Sequence, residues 1–117
     1  MATLTSVAPE IPVRNLTADL EYYTSRLGFE VSVVMPDRDY AIVERDAVAL
    51  HLFIPKGPSP SRASIQVFAQ DLEALFDELE ARGAIVTQGI APKPWGNREF
   101  RVADGAGNTI KFTEPAG

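Results

Sequence analysis

The chain has 117 residues, 45% of them hydrophobic, and it contains no cysteine; its acidic excess gives a net charge of −5. That length supports one domain with a shared core, and the lack of cysteine excludes disulfides, thiolate metal sites and thiol nucleophiles. The acidic balance disfavours nucleic-acid binding, because a phosphate-binding protein carries an excess of positive charge. The apolar runs are strand-sized and the N-terminus lacks a basic start, so we expect a soluble, cytoplasmic protein with no membrane partner.

The first half of the chain predicts the element order β-α-β-β-β. Residues 7–13 are typical of a strand, and Asn15 can cap a helix that Gly28 ends. The apolar positions of this helix repeat at helical spacing and are Leu16, Leu20, Tyr23 and Leu27. Three extended runs follow, over residues 31–35, 40–44 and 48–53.

The second half repeats this order. Residues 65–69 predict a strand, Asp71 is placed to cap a helix, and Gly83 is placed to end it. The apolar stripe of that helix comprises Leu72, Leu75, Phe76 and Leu79. Extended runs follow over residues 84–87, 100–103 and 109–113. The two halves are joined by residues 55–62, whose three prolines, one glycine and two serines can continue neither a helix nor a strand.

This internal repeat predicts the fold class. An order β-α-β-β-β that occurs twice indicates an α+β protein of two tandem βαβββ modules, residues 5–54 and 63–114, joined by the linker 55–62. Each module offers a mixed sheet with its helix on one side. Pairing the two sheets leaves the faces away from the helices to curve around a cleft, so we expect a single domain over residues 1–117 with a cleft-shaped mixed sheet.

Strand alternation separates a core face from a cleft face. Four strands carry one apolar side, and the opposite side mixes polar and aromatic residues, including Ala49, His51, Phe53, Ser64, Gln66 and Phe68. A mixed face of this kind is often simply solvated. The large aromatic side chains Phe53 and Phe68 beside polar groups favour a pocket wall instead.

Three spaced motifs are similar to those of one family. Residues 13–16 (V-R-N-L), 21–23 (E-Y-Y) and 26–29 (R-L-G-F) resemble the V-x-D-L…F-Y…L-G-F opening of the glyoxalase/bleomycin-resistance/dioxygenase, or vicinal oxygen chelate, superfamily. Residues 104–108 (D-G-A-G-N) resemble its D-P-x-G-N turn before the last strand. Residues 94–100 (P-W-G-N-R-E-F) resemble the P-W-G-R-E-F segment of its bleomycin-resistance proteins. The resemblance covers nearly the whole chain.

The resemblance implies where a metal would bind in enzymes of the family. Those enzymes hold a divalent cation with two side chains from each half, and the matching positions here are Ala8, His51, Ser64 and Lys111. Alanine has no ligand atom, serine is a poor ligand and lysine repels a cation, which leaves His51 alone. The neighbouring cleft-facing candidates are Glu10 and Gln66, with Lys111 still among them. We therefore expect no metal, no cofactor, and no isomerase or dioxygenase chemistry.

The same resemblance implies a function. The loss of the metal positions, the acidic balance and the segment around Trp95 are similar to the bleomycin-binding branch, whose members sequester a cationic aromatic glycopeptide antibiotic without chemistry and so confer resistance. This branch implies a homodimer that exchanges N-terminal arms and forms ligand grooves at the interface. Two alternatives stay open: a metal-dependent enzyme of the superfamily with a displaced site, and a binder of another aromatic natural product, such as a mitomycin-like compound.

Nine residues are candidates for the ligand site: Trp95, Tyr40, Phe68, Gln66, Phe53, His51, Asp39, Asp37 and Lys111. The aromatic members would stack on a flat ring, and the two aspartates would attract a cationic tail. Each has a structural alternative, since lone aromatic residues also pack at interfaces and acidic turns are commonly solvated. Lys111 disfavours a cationic ligand unless it pairs with Glu10 or binds an anionic or carbonyl group.

Overall fold

Two four-stranded sheets form the protein, of which this computed structural model describes residues 1–57, 62–94 and 96–116. The first sheet and its helix comprise β1 (Glu10–Pro12), α1 (Leu16–Glu21), β2 (Glu30–Met35), β3 (Tyr40–Arg45) and β4 (Val48–Phe53). The strand order is β1-β4-β3-β2, with β1 parallel to β4 and the other pairs antiparallel. We call this unit the N-terminal module.

The second sheet repeats the arrangement. It comprises β5 (Ser64–Phe68), α2 (Leu72–Ala81), β6 (Ile85–Pro92), β7 (Arg98–Ala103) and β8 (Thr109–Glu114), and we call it the C-terminal module. The strand order is β5-β8-β7-β6, with β5 parallel to β8. The predicted α+β fold of two βαβββ units is therefore confirmed. The limits of the modules stay a prediction, since residues 58–61 of the linker lie outside the described chain.

The two helices differ in how they begin and end. The Asn15 side chain accepts a hydrogen bond from the Ala18 N–H at 2.9 Å, which confirms it as a cap. Asp71 occupies the equivalent position before α2, but it has a φ of 53° and makes no capping hydrogen bond with its side chain. Gly28 and Gly83 end the helical segments with φ of +77° and +85°, a conformation that glycine adopts without strain.

The first helix is shorter than its apolar spacing predicts. Helix α1 passes at Tyr22 into a π-helical turn, Tyr22–Arg26. Here the hydroxyl of Thr24 donates to the Leu20 carbonyl at 2.9 Å and that of Ser25 donates to the Glu21 carbonyl at 2.7 Å. Such hydroxyls compete with the backbone ladder and widen the turn.

Strands β1 and β6 also differ in length from the sequence prediction. Strand β1 is confined to Glu10–Pro12, and residues 1–8 before it are exposed. Prolines at 9 and 12 lack the N–H groups that would lengthen its ladder. Strand β6 runs on to Pro92, five residues beyond the predicted run, and its pairing with β7 shifts register on both sides of Gln88.

One hydrophobic cluster joins the two modules. Alternate residues of each sheet are buried against the helices, among them Ile11, Val43, Leu50 and Leu52 in the first and Phe100, Val102, Ile110 and Phe112 in the second. Burial of these apolar side chains is the main favourable term in folding. The opposite face of each sheet is left open. None of the helices in the described chain is long and apolar enough to cross a membrane.

A buried carboxylate fixes the modules to each other. Asp104 accepts hydrogen bonds from the Tyr23 hydroxyl at 2.8 Å, from the backbone N–H groups of Ala106 and Asn108 at 2.9 Å, and from the Asn108 side chain at 2.8 Å. Asn108 also donates to the Pro12 carbonyl at 2.7 Å. Burial raises the pKa of Tyr23, with the Asp104 charge adding to the effect, so its hydroxyl stays a donor. The 104–108 turn therefore has a structural role.

An ion-pair cluster forms a second junction. Arg45, at the end of β3, donates two hydrogen bonds to Glu78 of α2, at 2.7 and 3.0 Å, and Arg82 donates a third at 2.8 Å. The hydrogen bond from Arg45 is the largest cause that lowers the pKa of Glu78, with burial opposing it and Arg82 adding to it. The two modules are thus locked by apolar contact, a buried polar network and a charged cluster.

Candidate functional site

The open face of the N-terminal sheet is apolar and aromatic. Glu10 lies opposite His51 in the β1–β4 pair, Ile42 lies opposite His51 in β3–β4, and Tyr40 lies opposite Phe53. These five residues share one face because cross-strand partners point to the same side of a sheet. We call this surface the aromatic face.

A hydrogen-bonded triad lies on the aromatic face. The Tyr40 hydroxyl donates to Glu10 Oε2 at 3.0 Å and lies 2.6 Å from His51 Nδ1. The phenol thus links the Glu10 carboxylate to the His51 ring. Burial and the Glu10 bond both raise the pKa of Tyr40, so the phenol stays neutral. The Tyr40 and His51 rings meet edge to face, with centroids 5.6 Å apart.

The open face of the C-terminal sheet has a different character. Strand pairing aligns Gln88, Arg101, Lys111 and Gln66 in one row across β6, β7, β8 and β5. The next row contains Glu99, Thr113 and Phe68. Phe68 is 60% exposed, and the Thr113 hydroxyl donates to Gln66 Oε1 at 3.2 Å. We call this surface the cationic face.

Glu99 is the central charge of the cationic face. Its side chain is only 6% exposed, and Arg101 Nε donates to its Oε2 at 2.7 Å, while Lys93 Nζ lies 3.8 Å from the same oxygen. Burial raises the pKa of Glu99, but the bond from Arg101 and the charges of Arg101, Lys93 and Lys111 outweigh it and lower the pKa. The carboxylate is therefore ionised at neutral pH and holds the cations near one another.

A buried amide completes the row. The side-chain nitrogen of Gln88 is buried and has no hydrogen-bond partner among the described residues. A buried donor without a partner costs about 1–3 kcal/mol. The register shifts on both sides of Gln88 are of the kind that re-aim a side chain beside a functional site.

The structure divides the sequence-predicted site residues between the two faces. Tyr40, Phe53 and His51 lie together on the aromatic face, and Gln66, Phe68 and Lys111 lie together on the cationic face. Asp37 and Asp39 are exposed at the short 3-10 turn before β3. Trp95 lies outside the described residues. No hydrogen bond or ion pair within residues 1–57, 62–94 and 96–116 joins the two faces.

A recess of about 720 Å³ lies between the modules, away from most of these residues. It is lined by apolar side chains such as Leu27, Phe29 and Leu75, and of the predicted site residues that the structure describes, Phe68 alone is on its wall. The charged pair at its edge, Arg45 and Glu78, is engaged in mutual hydrogen bonds. We place the candidate site on the open faces, where polar and aromatic groups converge.

Sequence reasoning missed the residues that give the cationic face its charge. Arg101 and Glu99 belong to β7, whose predicted run began only at residue 100 and whose two sides were not separated. The signal was present, since charged residues 99 and 101 alternate with the buried Phe100 and Val102. Gln88 was missed because β6 extends beyond its predicted end.

Comparison with known proteins identifies the family. The model of the glyoxalase/bleomycin resistance protein/dioxygenase superfamily matches residues 3–112. The chain belongs to this superfamily. No curated protein sequence matches it significantly.

Solved structures of the superfamily show the same fold. A bleomycin-binding protein from bleomycin-producing Streptomyces verticillus, complexed with copper(II)-bleomycin, is 26% identical with a TM-score of 0.81, covering 100% of this chain and 99% of that one. Lactoylglutathione lyase from Agrobacterium tumefaciens is 17% identical with a TM-score of 0.77, covering 96% and 95%. TioX from Micromonospora sp. ML1 is 20% identical with a TM-score of 0.76, covering 97% and 98%. The superfamily contains both a binding protein and a lyase, so function must be argued from the site.

Strand pairing shows which candidate metal positions are direct neighbours. Glu10 lies opposite His51, and Gln66 lies opposite Lys111. Ala8 precedes β1, which begins at Glu10. Glutamate and glutamine carry ligand oxygens, whereas alanine carries none.

These residues still do not fit a divalent metal. Lys111 lies beside Gln66 and Arg101 lies next in the same row, and both cations would repel the ion. Within the described chain, no three histidine, aspartate or glutamate side chains come together as a metal would require.

Proposed function

We propose that this superfamily member is a non-enzymatic binding protein that sequesters a bleomycin-type aromatic antibiotic and thereby confers resistance. The flat rings of the ligand would stack on the aromatic face, and its cationic tail would meet Glu10, Asp37 and Asp39. The protein would need no cofactor for this task. The observation that carries the proposal is the uncovered cluster of Tyr40, His51 and Phe53 on one sheet face.

The chemistry of the aromatic face supports a stacking site. Aromatic side chains give large contact area at small entropic cost, and they attract cations through the ring quadrupole. Glu10 adds a carboxylate within hydrogen-bond distance of Tyr40, so the face offers both a ring platform and a negative charge. The 26% identity to the bleomycin-binding protein over the whole chain supports the same proposal. Trp95 joins the site in this proposal on the strength of its sequence segment.

We propose that the working form is a homodimer with exchanged N-terminal arms. Residues 1–8 are exposed, and the arm contains the apolar side chains Met1, Leu4 and Val7, which are almost fully accessible. Apolar groups of this kind are stabilised by burial against a second surface. Each chain would then supply one wall of a groove, the aromatic face facing the cationic face of the second copy.

The direct test is a calorimetric titration of metal-stripped protein with bleomycin, both metal-free and copper-loaded. We expect saturable binding near one ligand per subunit, with quenching of Trp95, the single tryptophan of the chain. Sedimentation velocity should give a dimer, and removal of residues 1–8 should shift it toward monomer.

Two results would contradict the proposal. The absence of both binding heat and Trp95 quenching would rule out the antibiotic as the ligand. Other aromatic ligands could then be titrated in the same way. Stoichiometric divalent metal in freshly purified protein, together with turnover of a small-molecule substrate, would favour the superfamily enzyme instead.

A further inference from the structure

The cationic face has more positive charge than its carboxylate can neutralise. Lys93, Arg101 and Lys111 all act on Glu99, and Glu99 is the one acidic side chain in the two rows of this face. The surplus is unusual, because the whole chain has a net charge of −5.

The neighbouring cation Arg98, on the same strand as Arg101, is matched by carboxylates. Arg98 donates to Glu73 at 2.9 Å and to Glu114 at 2.8 Å, so two acids serve one arginine. Lys111, by contrast, forms no ion pair with any of the described residues, and the expected alternative of a pair with Glu10 is absent from them. The positive charge on this face is therefore available to a ligand.

Hydrogen-bond donors lie side by side in this row. Arg101 uses Nε for Glu99, and its two terminal nitrogens make no hydrogen bond within the described chain. The Gln88 side-chain nitrogen is buried and unpartnered, and Gln88 lies opposite Arg101. Arg101 in turn lies opposite Lys111. A guanidinium, an ammonium and an amide N–H aligned across adjacent strands match an oxyanion, which accepts several charge-assisted hydrogen bonds.

An aromatic wall stands next to this row. Phe68 follows Gln66 by two residues on β5, which places their side chains on one face about 7 Å apart. Phe68 is 60% exposed, so its ring is open to stacking. That spacing suits a fused ring system that carries an acidic substituent.

We propose that the cationic face is a subsite for an anionic oxygen group, a carboxylate or sulfonate, attached to a planar aromatic ligand. Arg101, Lys111 and Gln88 hold the oxyanion, and Phe68 contacts the ring. Glu99 orients Arg101 and Lys93 and so acts as a positioning residue. The subsite rests on the proposed binding function and narrows it: among the aromatic ligands that the aromatic face accepts, those that also carry an acid group bind more tightly.

The test uses two fluorescent probes with one ring system. 1-Anilinonaphthalene-8-sulfonate is anionic, and N-phenyl-1-naphthylamine is the same molecule without the sulfonate. We expect the wild-type protein to bind the sulfonate at least about tenfold more tightly than the neutral probe, which is the scale of one charge-assisted contact. Raising the salt concentration should weaken binding of the sulfonate and leave the neutral probe unaffected.

Substitutions test whether the preference for the sulfonate depends on this row of residues. Lys111→Met keeps the aliphatic stem and should reduce the preference about tenfold, and Lys111→Glu should reverse it. Lys56→Met, which changes an exposed lysine at the start of the linker, is the matched control and should leave the preference unchanged. Circular dichroism and urea denaturation check that each variant is folded.

The outcomes separate this subsite from the binding function. Equal affinity for the two probes, or a preference that survives Lys111→Glu, would overturn the subsite while bleomycin binding could still stand. Failure of both probes in a protein that binds bleomycin would also overturn the subsite alone. If neither the two probes nor bleomycin binds, both the subsite and the proposed function are wrong.

Discussion

The two modules share one backbone plan but present opposite chemistry on their open faces. A row of the aromatic face, Glu10, His51, Ile42 and Val33, corresponds strand by strand to a row of the cationic face, Gln66, Lys111, Arg101 and Gln88. In the next row, Phe53 and Tyr40 of the first module correspond to Thr113 and Glu99 of the second.

The buried faces of the same strands show no such contrast. Leu50 and Leu52 of β4 correspond to Ile110 and Phe112 of β8, and all four are buried. Close packing against the helices requires apolar side chains on both buried faces. The open faces are free of that requirement, so they carry the differences that recognise a ligand.

The largest expected effect comes from removing the buried carboxylate that joins the two modules. Asp104→Ala leaves the Tyr23 hydroxyl and two backbone N–H groups without their acceptor, so we expect a loss of about 3 kcal/mol in the free energy of unfolding. Asp104→Asn keeps one acceptor oxygen and should lose less. Urea denaturation measures both. The control is Glu80→Ala, at an exposed position of α2, which should change stability by less than about 0.5 kcal/mol. Equal stabilities for the two alanine variants would contradict the role of Asp104 in joining the modules.

A second prediction asks whether both faces contact the ligand. Tyr40→Ala on the aromatic face and Phe68→Ala on the cationic face should each weaken antibiotic binding by about 1.5 kcal/mol, roughly tenfold. Tyr40→Phe keeps the ring and should lose less than Tyr40→Ala. Calorimetric titration gives the affinities. A ligand that responds to one substitution alone would occupy one face, and the two-walled groove would be wrong.

A third prediction compares the two helix starts. Asn15→Ala removes the hydrogen bond to the Ala18 N–H and should cost about 1 kcal/mol in the free energy of unfolding. Asp71→Gly is the matched control at the equivalent position, where the side chain makes no capping bond and the φ of 53° suits glycine, and it should cost much less. Both values come from urea denaturation. A larger cost at Asp71 would contradict this difference between the modules.

The smallest expected effect is a loss of stability at low pH. The pKa of Glu99 is lowered in the folded protein below its usual 4.5, so in acid the unfolded chain binds the proton first. The stabilisation is therefore present above about pH 4.5 and is lost as the pH falls through the folded value. Melting temperatures should be flat from pH 8 to 5 and decline below that range. Glu99→Gln should make the decline shallower, whereas Glu44→Gln, at an exposed position, should leave it unchanged. Identical acid profiles for all three proteins would count against the role of Glu99.

The sequence predicted the architecture, and it predicted the sheet face on which several candidate residues lie. Alternation along β4 separated buried Leu50 and Leu52 from His51 and Phe53, because side chains point to opposite sides of a strand with period two. Alternation cannot give register, however. Ala8 and Glu10 were both candidates on the cleft side, and only the pairing shows that Glu10 lies opposite His51, since β1 begins at Glu10. A shift of two residues keeps the face but changes the neighbour.

By itself the amino-acid sequence determined the repeated β-α-β-β-β order, the caps and turns at Asn15, Gly28 and Gly83, and the apolar side of each strand. These features depend on local backbone preference and on burial, which act on residues close in the chain. Only the tertiary structure decided that Tyr40 joins Glu10 to His51, and that Arg101, Lys111 and Gln88 form one row around the charge of Glu99. Those groups lie on different strands, and strand pairing sets their distances, so their chemistry emerges only when the sheets have formed.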